Sequence, residues 1–208
     1  LAGSHQVDIT LILGALGTLL GFALFISTGM IYACLRFMQE WHTPLTPLNF
    51  TLLGGASGFL LASVFAAVTA PALTGFFAGW AIVLTVLALI SRSASLWRNA
   101  RIKPKSSLST AIGIKHPHIV QISQGSMGGS FNTRAFFHGK SAGFIRTIKP
   151  GFIVLPFILP LILLAVGLSS PKLLVAAFVI QYAGLLAERW FFFAEANHPQ
   201  NLYYQKVA

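Results

Sequence analysis

The stretch Ile9–Leu35, ITLILGALGTLLGFALFISTGMIYACL, runs without a single charged side chain. A helix needs roughly 20 predominantly apolar residues to cross the hydrocarbon core of a bilayer, because each residue advances it by only about 1.5 Å. Inside lipid, a segment must also satisfy all of its backbone hydrogen bonds, which a helix does by itself. This stretch therefore predicts a membrane-spanning helix and indicates the fold class of the whole chain.

Four more apolar stretches follow the first one. We draw the five spans at residues 9–35, 47–70, 72–90, 151–168 and 173–194. Pro71 marks a corner between the second and third spans, and Pro156 and Pro160 predict a bend in the fourth, since proline cannot donate a backbone hydrogen bond. The sequence thus predicts an all-α, polytopic transmembrane bundle that forms a single domain, with a long basic loop between its third and fourth spans.

Charge is scarce and unevenly distributed along this chain. Only 9% of the residues are charged, whereas about a quarter are charged in soluble domains. The basic loop, residues 92–149, holds ten Lys and Arg and no Asp or Glu, while the rest of the chain holds four basic and four acidic residues. The net charge of +10 therefore lies in this loop. A basic face on a membrane protein explains the pattern better than nucleic-acid binding, which needs its patch on a soluble fold.

Helix parity brings the polar segments to one side of the membrane. Because five spans alternate in direction, the turn at residues 36–46, the basic loop and the C-terminal tail at residues 195–208 share one face. The excess of Lys and Arg predicts that this face is cytoplasmic. We expect it to dock partner proteins through Arg98, Arg101, Lys103, Lys105, His116, His118, Arg134 and His138.

Neither a metal site nor a nucleotide site is expected. The six histidines fall in loops, tails or helix ends, so an axial pair for a haem inside the bundle is not predicted. The single cysteine, Cys34, is too few for an iron–sulfur cluster. Gly139-Lys140-Ser141 imitates the end of a phosphate-binding loop, but Arg134 stands where that motif requires glycine.

Charged and aromatic residues near the ends of the first and last spans are the candidate functional residues. A charge at membrane depth is costly and marks a functional site by default, although charges at helix ends also anchor helices by snorkelling. Aromatic walls with one or two hydrogen-bond donors suit a quinone headgroup, and this combination occurs only on the face shared by the turn at residues 36–46, the basic loop and the C-terminal tail. We therefore predict a quinone site formed by Tyr32, Arg36, Trp41, Glu188 and Arg189.

Short motifs along the chain resemble a known family. They include Thr46-Pro47-Leu48-Asn49-Phe50 before Gly54-Gly55, and Ala183-Gly184 before Arg189 and its aromatic run. These resemble the membrane-anchor subunits of the dimethyl sulfoxide reductase type, the DmsC family. The segment from Gln124 to Arg134, followed by Phe136-Phe137-His138-Gly139, resembles the anchors of sulfite-oxidising relatives.

The resemblance implies an eight-helix anchor in the bacterial inner membrane, of which these spans are the last five. It implies two partners, a molybdopterin catalytic subunit and an iron–sulfur subunit, and an anchor that holds no metal or haem and binds menaquinone or ubiquinone. In this setting Arg36 or Arg189 would hydrogen-bond a quinone carbonyl and stabilise developing negative charge, and Glu188 would relay a proton.

Two other functions stay open at this point. A transporter or channel often has repeated halves and charges at the bilayer midplane, whereas this chain shows no internal repeat and its charges cluster toward one interface. A purely structural anchor, with quinone bound elsewhere in the complex, has the same five spans.

Overall fold

The computed structural model describes residues 9–103, 105, 107–116, 118–119 and 141–198. In that part of the chain all regular structure is helical. The helices are α1 (Ile9–Ala33), α2 (Leu45–Thr69), α3 (Pro71–Asn99), α4 (Leu108–Ile112), α5 (Ala142–Ile153), α6 (Leu159–Gly167) and α7 (Pro171–Glu195), and a π-helical turn, Val154–Ile158, joins α5 to α6. Among the described residues, five helical segments are long and apolar enough to cross a membrane, the fourth being Pro150–Gly167, which confirms the predicted all-α bundle.

Helices α2 and α7 form the centre of this bundle. Helix α2 lies between α1 and α3 and also packs on α7, which in turn packs on the π-helical turn and α6. Alanines at the contacts, including Ala78, Ala81 and Ala177, are completely buried against Leu60 and Leu164. Small side chains let helix backbones approach closely where lipid supplies no hydrophobic driving force.

Helix α1 joins the bundle through its C-terminal part. Residues 9–20 are exposed throughout, whereas Gly29 and Ala33 are buried. At Gly29 an added Cβ would lie 2.5 Å from the Cα of Pro47, so only glycine permits this approach of α1 to the start of α2. The close contact holds the end of α1, with Tyr32, beside α2.

The third span is longer than the sequence predicts. We expect its end at residue 90 and the basic loop from residue 92, whereas α3 continues to Asn99. Arg92 is therefore not a loop residue but a helical side chain with 2% exposure. Hydropathy marks an end before Arg92 because an isolated charge is costly in lipid. Here the cost is offset by Glu188 of α7, whose Oε1 lies 2.7 Å from Arg92 Nε.

The other end of the basic loop also differs from the prediction. Helix α5 begins at Ala142, so residues 142–149 are helical and precede the expected start of the fourth span at residue 151. The helix passes through Pro150 without ending there. The predicted loop includes residues 142–149 because Arg146 and Lys149 are charged, whereas these residues form the first turns of a helix that continues into the apolar span.

The predicted bend in the fourth span is confirmed as a π-helical turn around Pro156. Pro160 has no N–H to offer the carbonyl four residues before it, that of Pro156. This carbonyl instead accepts a hydrogen bond from Gln181 Nε2 of α7 at 3.3 Å, and the same amide donates to Thr85 Oγ1 of α3 at 3.1 Å. Gln181 therefore ties the distorted span to two neighbouring helices.

We expect Gln181→Leu to lower the free energy of unfolding by about 1 kcal/mol. The change leaves the Pro156 carbonyl without this partner, while removal of the unpaired Gln181 Oε1 offsets part of the loss. Thermal unfolding in detergent micelles measures the effect. Val179→Leu, at an exposed position of the same helix, is the control. Equal stability of the two variants would contradict the prediction.

Candidate functional site

Three segments meet at one end of the bundle. Arg98 Nη2, at the end of α3, donates a hydrogen bond to the carbonyl of Gln39 in the turn after α1 at 3.0 Å. Asn197, just after α7, donates to Glu40 Oε1 in the same turn at 3.4 Å. These contacts agree with the shared face that helix parity predicts. We call this end of the bundle the polar face.

A group of five rings lies just inside the polar face, and we call it the aromatic cluster: Tyr32, Trp41, Phe50, Phe192 and Phe193. The Tyr32 ring is central, with its centroid 5.4–5.6 Å from those of the other four. Trp41 stacks on Phe192 at 5.3 Å and donates its Nε1–H to the Phe192 carbonyl at 3.0 Å. Offset and edge-on ring contacts of this kind are favourable and directional, so α1, α2 and α7 are held together here.

Arg189 of α7 covers one side of the aromatic cluster. Its guanidinium carbon lies 4.1 Å from the Phe50 ring centroid and 4.9 Å from that of Phe192, within range of a cation–π interaction. Its Nε donates to Glu188 Oε2 at 2.6 Å. The side chain keeps 24% exposure, although its Nη1 atom is buried and has no hydrogen-bond partner among the described residues. The guanidinium thus has a donor left for a ligand.

Glu188 lies between two guanidinium groups. Its carboxylate is completely buried, with Oε1 against Arg92 and Oε2 against Arg189. Burying charge is costly unless it is paired and hydrogen-bonded, and this geometry pairs every charge of the group. Glu195 Oε2 also lies 3.7 Å from Arg92 Nη2, so the group holds two positive and two negative charges, and the guanidinium that lies on the aromatic cluster is that of Arg189.

Four of the five residues predicted for the quinone site therefore come together: Tyr32, Trp41, Glu188 and Arg189. Arg36 is exposed in the turn after α1, three residues past the end of that helix. Its role toward quinone stays a prediction.

Arg92 is the buried charged residue that the hydropathy pattern did not predict for this site. Its burial could have been predicted from its spacing, because Arg92 follows Thr85 by seven residues and so lies on the buried face of α3.

Six of the eight predicted docking residues are described, and they lie at the end of α3 and in the segment that follows it. Arg98 is half-buried, and the Gln39 amide lies 3.1 Å from both the Lys103 carbonyl and the Lys105 amide nitrogen. The exposed members are Arg101, Lys103, Lys105, His116 and His118. Arg134 and His138 lie outside the described residues. Docking by this surface stays a prediction.

Metal ligands are not grouped in the part of the chain that the structure describes: three or more His, Cys, Asp or Glu side chains do not come together there. His42 Nδ1 lies 2.6 Å from the Ala33 carbonyl, which fixes this ring to the end of α1. His116 instead pairs with the backbone of His118, at 2.9 Å from its carbonyl. Both imidazoles thus have local structural partners.

The chain is 54% identical over 205 residues to a sulfite dehydrogenase subunit from Allochromatium vinosum. The aligned region covers 98% of this chain and 63% of the relative, so the chain spans less than two thirds of the relative's length. No family model matches the chain, and no solved structure matches it. The identity agrees with the part of the resemblance that points to anchors of sulfite-oxidising proteins. Over nearly its whole length, this membrane-spanning chain is similar to one subunit of a sulfite dehydrogenase.

Proposed function

We propose that this chain is the membrane-anchor subunit of a sulfite-oxidising molybdenum and iron–sulfur oxidoreductase and that it binds quinone beside Arg189. The similarity to a sulfite dehydrogenase subunit supports the class of complex. The observation that carries the site is the guanidinium of Arg189, which lies on the rings of Phe50 and Phe192 with Nη1 unpaired among the described residues.

The residues beside Arg189 suit a quinone headgroup, whether of menaquinone or ubiquinone. Bound quinone would supply reversible two-electron, two-proton chemistry. Arg189 would orient it by donating a hydrogen bond to a carbonyl oxygen, and the aromatic cluster would enclose the flat ring and exclude water. Glu188 would hold or release a proton at Oε2, the atom next to Arg189 Nε.

The charges at this site are better explained by chemistry than by stability. Replacing buried ion pairs with apolar side chains of similar volume is often neutral or stabilising in proteins. A bundle that needed only to span the membrane would gain little from Arg92, Glu188 and Arg189 at this depth. A site that donates a hydrogen bond from a charged group to an oxygen-bearing ligand and holds a proton beside it does need them.

Sulfite oxidation and electron transfer would belong to partner subunits. Oxidation of sulfite to sulfate yields two electrons, which a molybdopterin subunit would pass to an iron–sulfur subunit and then to this chain's quinone. Cys34 is the only cysteine of the chain, so the clusters would be held by the partner. We propose that the partner docks on the basic residues of the polar face, on the cytoplasmic side of the bacterial inner membrane.

We expect Arg189→Gln in the whole complex to lower quinone-coupled sulfite oxidation roughly a hundredfold, the usual cost of removing one preorganised donor. Sulfite oxidation with a soluble dye that bypasses quinone should stay unchanged, and the affinity for a fluorescent quinone analogue should fall. Lys172→Gln is the control, because it removes a positive charge from an exposed position at the start of α7, at the other end of that helix from Arg189. Normal analogue affinity and turnover in Arg189→Gln would instead favour a purely structural anchor.

A further inference from the structure

Polar side chains of α3 and α7 meet in three successive pairs, which we call the polar ladder. The pairs are Thr85 with Gln181, Arg92 with Glu188, and Asn99 with Glu195. Seven residues separate each pair from the next on both helices, so the helices run in the same direction and in register. Seven residues advance a helix by about 10.5 Å, and the ladder therefore follows the bundle axis for roughly 20 Å.

The two pairs of the ladder nearest the polar face form one connected group. The Arg92 guanidinium contacts both carboxylates, with Nε 2.7 Å from Glu188 Oε1 and Nη2 3.7 Å from Glu195 Oε2. Asn99 Nδ2 donates to the same Glu195 oxygen at 3.3 Å, and Asn99 Oδ1 accepts from Arg98 Nη1 at 3.0 Å. The Glu188 side chain is 0% exposed and that of Glu195 is 16% exposed, so the group runs from the buried site to solvent.

Glu188 cannot exchange protons with solvent directly, because its carboxylate has no exposed surface. A group that supplies protons beside Arg189 must itself be resupplied. We propose that protons travel between the polar face and Glu188 through Glu195, with Arg92 and Asn99 as positioning residues. The proposal rests on the proposed function, which makes the site one of proton-coupled electron transfer.

The electrons and protons needed for quinone reduction are both accounted for by the groups named above. Reduction of a quinone to a quinol takes up two electrons, which come from the iron–sulfur partner, and two protons. Each proton would leave a Glu188 carboxyl oxygen, and Glu188 would recover it from Glu195, which recovers it from water at the polar face. Arg92 stays protonated throughout, because guanidinium does not release its proton in proteins. Its role is to hold the two carboxylates along one path.

Buried polar atoms beside the ladder support a hydrated path. Ser91 Oγ, Asn49 Oδ1 and Arg92 Nη2 have no hydrogen-bond partner among the described residues, although all three atoms are buried. Buried polar groups are normally paired with protein atoms or with internal water. Internal water at these atoms would satisfy them and hydrate this part of α3. The neutral Asn49 of α2 also binds Ser95 Oγ of α3 at 2.8 Å, so it brings no competing charge to the path.

The test is a rapid acid jump on the whole complex, without added quinone, followed by time-resolved infrared spectroscopy. The signal is the band of a protonated carboxyl group that disappears in Glu188→Gln. We expect its rise to slow roughly a hundredfold in Glu195→Gln, the lower end of what a positioned proton-transfer group contributes. Glu195→Asp, which keeps a carboxylate, should restore most of the rate. The control is Glu40→Gln, on the same face, where Glu40 contacts Asn197.

A second readout uses turnover. Quinone-coupled sulfite oxidation should fall in Glu195→Gln and recover with added azide or formate, which are small enough to carry protons, while analogue affinity stays unchanged. The proposal is overturned if the Glu188 band rises as fast in Glu195→Gln as in the unmodified complex, or if Glu188 gives no such band at any pH that preserves the complex. Failure of the proposed function would appear separately, as normal analogue affinity in Arg189→Gln.

Discussion

Replacing Glu188 with alanine is expected to lower the free energy of unfolding by about 3–5 kcal/mol, the cost of removing one partner from a buried ion pair. The carboxylate lies between Arg92 and Arg189, and Arg92 is itself 2% exposed. Without Glu188, the Arg92 guanidinium keeps only its 3.7 Å contact with Glu195 among the ion pairs of the described residues. Thermal unfolding of the whole chain in detergent micelles measures the change.

Two further variants test whether the stability lost in Glu188→Ala comes from the unpaired charge of Arg92. Glu40→Ala removes a glutamate from the turn at the polar face and should change stability by less than about 1 kcal/mol. The double variant Arg92→Leu with Glu188→Leu removes the Arg92–Glu188 pair and should recover the part of the lost stability that comes from the unpaired Arg92, while Arg189 still lacks Glu188. A double variant as unstable as the single one would show that the unpaired charge of Arg92 does not cause the loss of stability.

Gly184→Ala is expected to destabilise the bundle by about 2–3 kcal/mol, the upper range for overpacking a buried contact. An added Cβ at Gly184 would collide with the backbone nitrogen of Pro156 and lie 2.7 Å from the carbonyl carbon of Leu155. These are backbone atoms of the π-helical turn, so no side-chain rotation relieves the clash. Helix α7 must move away from the fourth span, and this movement also displaces Gln181 from the Pro156 carbonyl.

The matched control is Gly58→Ala in the interior of α2. Nothing lies within 4 Å of a Cβ built there, and the position is exposed. Alanine is the better helix former by about 1 kcal/mol, so this variant should be neutral or slightly stabilised. The same unfolding measurement compares the two alanines, and equal midpoints would contradict the close approach of α7 to the π-helical turn.

Membrane integration depended only on the sequence, because the free energy of transferring a stretch such as Ile9–Leu35 into lipid is a sum over its own residues. The same local reasoning located Pro71 as a corner and Pro156 as a bend, since a proline always lacks its N–H. It also identified Glu188 and Arg189 as candidate site residues, because a charged residue within an apolar stretch is evident from the sequence alone.

Only the tertiary structure decided the depth of Arg92 and the surroundings of Arg189. Whether a charged residue ends a span depends on a partner in another helix, and Glu188 lies 96 positions further along the chain than Arg92, since 188 − 92 = 96. The residues next to Arg92 in the sequence do not indicate that partner. The meeting of Tyr32, Trp41, Phe50 and Phe192 likewise depends on helix packing, which set the aromatic cluster beneath Arg189 and left Arg36 exposed.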